Sequence, residues 1–171
     1  MPEPEVRIIE ATSPEQYADA VALFRAYAEE LGWDLSRGGR FADEIANPPG
    51  PYSPPAGALL LAYVGDEPVG VLGVQAVPVQ ARVPGSGAER AGELKRLFVR
   101  ADCRRLGVGE ALMRCAETIA RRLGYESLVL TTSAEMMPLA QGLYERLGYE
   151  TATPYRDDIP MPNIRWLRLD L

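Results

Sequence analysis

The feature that most constrains the fold is a strand-like segment that runs through a glycine loop into a long amphipathic helix. Glu93–Val99 ends apolar on both faces, as expected of a central strand. It leads into Arg104-Arg105-Leu106-Gly107-Val108-Gly109, and apolar residues then recur every three to four positions as far as Leu123. Two glycines let the backbone approach a ligand, and a helix start offers unpaired N–H groups and a positive dipole end. The pattern predicts an anion site, for which phosphate is the natural ligand.

Two common phosphate-binding motifs do not fit this loop. A nucleotide-hydrolysing P-loop has lysine and then Ser or Thr after its last glycine, whereas Glu110 and Ala111 follow here. A dinucleotide fingerprint needs a third glycine, where this chain has Leu112. The plain structural alternative is a tight strand-to-helix turn with its arginines in solvent. Spacing alone leaves both interpretations open.

Length, charge and the absence of histidine limit the class of protein. A chain of 171 residues has the size of one ordinary domain, so residues 1–171 are treated as a single unit. The net charge of −6 disfavours nucleic acid as a partner. Residues 93–122 nevertheless carry eight bases and four acids, which suits either a solvated helix face or a compact anionic ligand. Without histidine, Ser-His and Cys-His nucleophile pairs and most catalytic zinc sites are excluded, and no metal is expected.

The chain shows no sign of a membrane span or a secretory signal. No window approaches the roughly 18–20 apolar residues that cross a bilayer. The first residues are acidic, where a secretory signal is basic and then apolar. We therefore expect a cytoplasmic protein without a membrane partner, in which Cys103 and Cys115 are free thiols.

Hydrophobic periodicity and turn residues predict strands that alternate with helices, and hence an α/β (α+β) class with one central sheet. In the strand at 93–99, Leu94, Arg96 and Phe98 are expected on one face and the other residues on the opposite face. Connections are expected at 34–57, which is proline-rich and resembles a loop or lid, and at 80–91. The predicted strands are 6–10, 58–64, 68–77, 93–99 and 128–132, with a closing hairpin of 149–155 and 163–171; the predicted helices are 14–31, 39–46, 108–123 and 138–147.

The loop and a later segment resemble the GNAT superfamily of acyl-CoA-dependent N-acetyltransferases. Residues 104–109 match its Q/R-x-x-G-x-G/A motif, and Leu143–Tyr149 looks like the family segment L-Y-E-K-L-G-F. The resemblance implies a single-domain GNAT-like fold. Its central mixed, mostly antiparallel sheet would be splayed at the glycine-loop strand and flanked by helices.

The same resemblance implies a site for coenzyme A. Backbone groups of Leu97, Phe98 and Val99 would contact the pantetheine arm. Arg105 or Arg100 would meet the 3′-phosphate, and the sequence does not choose between them. Many relatives have asparagine before the last helix, whereas Ser133–Pro138 contains none, which puts the cofactor contacts there in doubt. The pyrophosphate would lie among the backbone amides of Arg104, Arg105, Leu106, Gly107, Val108, Gly109 and Glu110.

Two residues are candidates for proton transfer. Tyr144 stands where the family often has the tyrosine acid that protonates the departing thiolate, and the alternative is a packed aromatic side chain. Glu93 is the candidate base that removes a proton from the amine, and the alternative is a simple salt bridge to Lys95 or to a neighbouring strand. A water relay could also serve as the base.

The resemblance implies an acetyltransferase that uses acetyl-CoA as cosubstrate and moves the acetyl group directly to a primary amine of a small molecule or peptide. Residues 1–60 hold ten acids and four bases, and this acidic surface would suit a cationic amine. The assembly is left open, with a homodimer among the possibilities. The competing function is a non-catalytic acyl-CoA-binding sensor or partner domain with the same fold.

Overall fold

The computed structural model describes residues 4–80, 87–157, 159 and 162–171. These residues form one mixed sheet of seven strands, in the order β1-β2-β3-β4-β5-β7-β6, with helices on both faces. The sheet is antiparallel except between β4 and β5. The elements are β1 (Val6–Glu10), α1 (Pro14–Leu31), α2 (Arg40–Ala46), β2 (Ala58–Val64), β3 (Glu67–Gln80), β4 (Ala88–Val99), α3 (Val108–Arg122), β5 (Ser127–Ser133), α4 (Pro138–Arg146), β6 (Glu150–Thr151) and β7 (Ile164–Asp170).

The helix ends follow local signals in the sequence. Ser13 caps α1 through a reciprocal bond with Gln16, and Gly32 ends that helix with a φ of 69°, in the left-handed region that glycine tolerates. The predicted helices and the strands 6–10, 58–64 and 128–132 are confirmed to within a residue or two at each end. No helix within the described ranges is long and apolar enough to cross a membrane.

Two predictions about the extent of elements are wrong. The connection predicted at 80–91 is shorter, because residues 88–91 already belong to β4 and pair with β3; residues 81–86 lie outside the described residues. The closing hairpin is smaller than expected, because only Glu150 and Thr151 of the segment 149–155 pair with β7. Residues 152–155 follow as irregular chain, so side-chain alternation there does not reflect a strand.

The core lies on both faces of the sheet. On one face, α3 and α4 cover a large cluster that includes Leu72, Leu112 and Leu128. On the other face, α1 and α2 cover an aromatic cluster in which the Phe24 and Phe41 rings meet edge to face, 5.5 Å between centroids. Sheets covered on both faces have strands that are apolar nearly throughout, which explains the continuous apolar run of β2.

A bulge in β4 changes which side chains share a face. The β3–β4 register slips between Val71 and Gly73, and Arg96 has a φ of 62°. Leu94 therefore joins the cluster under α3, while Phe98 joins the aromatic cluster under α1. The prediction that Leu94 and Phe98 lie on one face is wrong, because the extra residue at the bulge reverses the alternation.

The sheet opens between β4 and β5. These parallel strands pair only at Gly92 with Leu128 and at Glu93 with Val129, after which no described residue of β5 pairs with β4. The backbone edge of β4 from Leu94 to Val99 is therefore left without a neighbouring strand. Unpaired backbone groups at such an edge must find other partners or water.

Candidate active site

A cleft of about 620 Å³ occupies the opening between β4 and β5. One wall is the unpaired edge of β4, and the opposite wall is formed by β5 and α4. The C-terminal end of α1, with Tyr27 and Trp33, borders the cleft from the other face of the sheet. Of the predicted cofactor-binding residues, those that line the cleft are Leu97, Phe98, Val99, Arg104, Arg105, Gly107, Val108, Gly109 and Glu110.

The glycine loop presents the start of α3 to this cleft. Gly107 precedes the helix with a φ of 77°, and no side chain of the described residues caps the helix N-terminus. The first intrahelical bond runs from the Ala111 N–H to the Gly107 carbonyl, 2.9 Å, so the N–H groups of residues 108–110 have no acceptor within the helix. This end of the helix can therefore hold an anion, as the sequence predicts. Leu106 lies beside the loop with 45% of its surface exposed.

The arginines near the loop have different roles. Nε of Arg104 donates a hydrogen bond to the Val99 carbonyl at 2.9 Å, and Nη2 donates to both carboxylate oxygens of Glu30 at 2.7 Å. The Arg104 side chain therefore links β4 to α1. Arg100 is paired with Asp102 and with a carboxylate of β3, and it does not line the cleft. Arg105 is exposed and does line it. Of the two candidates for the 3′-phosphate, only Arg105 lines the cleft, and a contact with the phosphate stays a prediction.

Tyr144 projects from α4 into the buried end of the cleft. Its side chain is 6% exposed and its ring packs against Tyr149, 6.0 Å between centroids. Burial, with a smaller contribution from nearby Tyr27, raises the pKa of the Tyr144 hydroxyl above its usual value. The hydroxyl therefore keeps its proton at neutral pH and can donate it. The ring is packed, as the alternative interpretation of the sequence predicts, and the acid role stays a prediction.

Glu93 lies apart from Tyr144. It is fully buried and lines a second cavity, of about 870 Å³, between α2, β3 and the chain after β6. Both of its oxygens accept a hydrogen bond from Nη1 of Arg156 at 2.9 Å, and the Lys95 ammonium is 3.6 Å from one of them. The structure thus does not place the two predicted proton-transfer residues in one cavity. The base role of Glu93, like that of a water relay, stays a prediction.

Two ion pairs separate the cleft from the second cavity. Lys95 and Arg96 line the cleft, whereas their partners Glu93 and Glu44 line the second cavity. Arg96 forms a bidentate pair with Glu44 at 2.9 and 3.0 Å and stacks over the Phe41 ring at 4.1 Å. Side-chain exposure is 12% or less in each of these four residues.

Sequence reasoning predicted the salt bridge between Glu93 and Lys95 as the alternative for Glu93, and the structure confirms it, but the other members of this charged wall were missed. Arg156 and Glu93 are 63 positions apart, and no local pattern predicts their pairing. One compositional signal was available: Lys95 is the only lysine in the chain, beside 17 arginines. Desolvation and the neighbouring Arg96 lower the pKa of Lys95, and Glu93 acts in the opposite direction.

Comparison with known proteins agrees with this geometry. The profile of the acetyltransferase (GNAT) family matches residues 19–149. An uncharacterised N-acetyltransferase of Schizosaccharomyces pombe is 35% identical over 158 residues, which cover 92% of this chain and 90% of the relative. An acetyltransferase of Streptococcus agalactiae superposes with a TM-score of 0.73 at 19% identity, covering 97% and 98% of the two chains. A GNAT acetyltransferase of Staphylococcus aureus has a TM-score of 0.71 at 18% identity, covering 97% and 99%.

A mixed sheet that splays beside a glycine loop and the start of a helix, over nearly the full chain, defines the fold class of the GNAT acetyltransferases. With the match to the family profile and to the yeast relative, the chain belongs to the GNAT acetyltransferase family.

Proposed function

We propose that this protein transfers an acetyl group from acetyl-CoA directly to a primary amine of a small molecule or peptide. The observation that carries the proposal is the cleft itself: an unpaired strand edge leads to a helix start with free N–H groups. An extended chain with amide groups can form hydrogen bonds to the unpaired strand edge, and a pyrophosphate can bind at the helix start. Coenzyme A contains both parts in that order.

The residues of the cleft fit such a donor. The backbone of Leu97 on β4 is available to the pantetheine arm, because β5 does not pair there, whereas Phe98 pairs with Val71 of β3. Residues 107–110 supply the N–H groups for the pyrophosphate, and exposed Arg105 adds positive charge at the rim. When bound, acetyl-CoA supplies the activated acyl group; the protein's part is to orient it and to manage the protons.

Proton transfer is assigned to Tyr144 on the donor side. The Tyr144 hydroxyl borders the cleft and is proposed to protonate the thiolate that leaves. On the acceptor side, a proton must leave the ammonium before the amine can attack, and Glu93 or a relay of water is proposed to accept it. Glu93 would act from the second cavity, across the wall formed with Lys95.

One observation favours the non-catalytic alternative, an acyl-CoA sensor. Both oxygens of Glu93 are already engaged by Arg156, as expected of a structural ion pair rather than a free base. A sensor would have the same cleft and the same affinity for coenzyme A but no turnover.

The test combines two measurements on the purified protein. Release of thiol from acetyl-CoA is followed across a panel of small amines and peptides, and coenzyme A binding is measured by calorimetry. Binding together with amine-dependent thiol release supports the acetyltransferase. Binding without release on any amine supports the sensor, and the absence of binding removes both.

A further inference from the structure

The Lys95 ammonium is a buried cation whose nearest charged partner is already occupied. Its side chain is 12% exposed, and the 3.6 Å between Nζ and Glu93 is too long for a hydrogen bond. Arg156 already donates to both oxygens of that carboxylate at 2.9 Å. Lys95 lines the cleft, and its ammonium shares the single carboxylate of Glu93 with Arg156. Two buried cations against one carboxylate leave one positive charge in excess, so this position suits an anion from outside.

The anion that fits is not a phosphate of coenzyme A. Lys95 lies four residues before Val99 on β4, about 13 Å along a strand that rises roughly 3.3 Å per residue. The helix start that can hold the pyrophosphate lies still further on, beyond the turn after β4. The donor's thioester end is uncharged, so an anion near Lys95 must come from the acceptor.

The charges beside Lys95 also disfavour a simple amine. Arg96 is its neighbour on the same strand, and both line the cleft. Arg96 is paired with Glu44, so the excess positive charge is that of Lys95 and Arg156 against Glu93. This charge repels an acceptor whose single charge is an ammonium, but it attracts one that also carries a carboxylate. The net charge around Lys95 in the cleft is therefore positive, whereas residues 1–60 have a net negative charge, which attracts cationic ligands over longer distances.

We propose that the acceptor is a free α-amino acid, whose carboxylate is bound by the Lys95 ammonium while its amine faces the thioester. In an α-amino acid one carbon joins the amine to the carboxylate, so both groups fit at one end of the cleft. The N-terminus of a peptide lacks the adjacent carboxylate and is disfavoured.

This inference rests on the proposed acetyltransferase activity, and its test separates the two. Each proteinogenic L-amino acid is compared with its own carboxamide in the thiol-release assay. The carboxamide has the less basic amine and is the more reactive nucleophile near neutral pH, so intrinsic reactivity favours it. We expect kcat/KM to favour the amino acid by about ten- to a hundredfold, the range for a hydrogen bond to a charged group.

The variant Lys95→Met removes the charge and keeps much of the side-chain volume. It is expected to remove most of the preference for the acid over the amide, whereas Lys95→Arg restores part of it because the cation is retained. Arg121→Met, a charge removal at an exposed position on the last turn of α3, serves as the control and is expected to retain the preference. Equal use of acid and amide by the parent protein overturns the inference and leaves the acetyltransferase intact.

A second measurement does not depend on turnover. Because Lys95 is the only lysine, [13Cε]lysine labelling gives a single lysine NMR signal. We expect the substrate amino acid to shift this signal in the presence of coenzyme A and its carboxamide to leave it nearly unchanged. A shift without turnover supports the carboxylate site and counts against the acetyltransferase; no shift with any amino acid overturns the inference.

Discussion

At the scale of single residues, the structure separates two candidates that look equally plausible in the sequence. Tyr144 lies in the cleft with its hydroxyl protonated, whereas Glu93 lies in a second cavity with both oxygens engaged. The position of Tyr144 followed from helical spacing and a family motif. The surroundings of Glu93 depend on Arg156, which reaches it from an irregular segment far along the chain, and no local pattern encodes that contact.

The acid role of Tyr144 predicts a loss of turnover without a loss of binding. Tyr144→Phe keeps the ring and removes only the proton donor, so kcat should fall by about 10²–10⁴-fold, the usual size of a general-acid contribution. Affinity for coenzyme A should change little. Steady-state kinetics under conditions where chemistry limits the rate, together with calorimetry, measure both.

Tyr149→Phe is the matched control for that variant. Tyr149 packs against Tyr144 but does not line the cleft, and its hydroxyl has no hydrogen-bond partner within the described residues. Its removal should therefore leave kcat near the parent value. If Tyr144→Phe retains full turnover, Tyr144 is a core aromatic, and the proton must come from water or from another group.

At the scale of elements, the helix ends could be predicted because local sequence signals determine them. The bulge in β4 and the cleft could not be predicted, because they depend on pairing between strands that are distant in the sequence. Proline at the start of α1 and glycine at its end determine that helix through nearby contacts. The bulge at Arg96 depends on how β4 pairs with β3, so the strand could be predicted but the face of each side chain could not. The cleft also depends on long-range pairing, because it lies where β4 and β5 stop pairing.

The phosphate site at the start of α3 predicts different effects for glycines at the two ends of the helix. Gly107 and Gly124 have φ values of 77° and 79°, and an added Cβ would have no neighbour within 4 Å at either position. Alanine at either position should therefore reduce stability by a similar amount, roughly 1–2 kcal/mol. Only Gly107→Ala should weaken coenzyme A binding, because Gly124 is at the opposite end of the helix.

Thermal unfolding and calorimetry on both variants test this comparison. Gly109 is a less suitable position, because a Cβ there would lie 3.3 Å from Cδ2 of Leu143 on α4 and would disturb packing as well as binding. Equal loss of affinity in the two alanine variants would attribute the effect to stability. Unchanged affinity in Gly107→Ala would remove the argument for a phosphate site.

At the scale of the whole molecule, buried tyrosines link the fold to pH. Burial is the largest cause of the raised pKa of six tyrosine hydroxyls, two of which belong to Tyr63 of β2 and to Tyr155. The other four, Tyr27, Tyr52, Tyr144 and Tyr149, are each 7% exposed or less. For Tyr27 the pKa is raised to about 12. These residues come from α1, the 3₁₀ turn before β2, α4 and the chain after α4, so they report on both faces of the sheet.

The sign of the pH effect follows from which state holds more protons. In the unfolded chain the phenols lose their protons near pH 10, whereas in the folded protein they keep them to higher pH. Above pH 10 the folded state therefore binds more protons, and stability falls as pH rises, by at most about 1.4 kcal/mol per pH unit for each tyrosine. The lowered pKa of Lys95 has the opposite effect on stability, but it is one group against six tyrosines.

We therefore expect the free energy of unfolding to be nearly constant between pH 7 and 9 and to fall by on the order of 8 kcal/mol by pH 11. Urea unfolding at each pH measures this, and tyrosinate absorbance followed in parallel reports when the phenols ionise. Tyr144→Phe removes one of the six groups, so its loss of stability over the same interval should be smaller by about 1.4 kcal/mol. Phenols that titrate near pH 10 in the folded protein, with no accompanying loss of stability, would contradict the burial of these hydroxyls and with it the protonated state proposed for Tyr144.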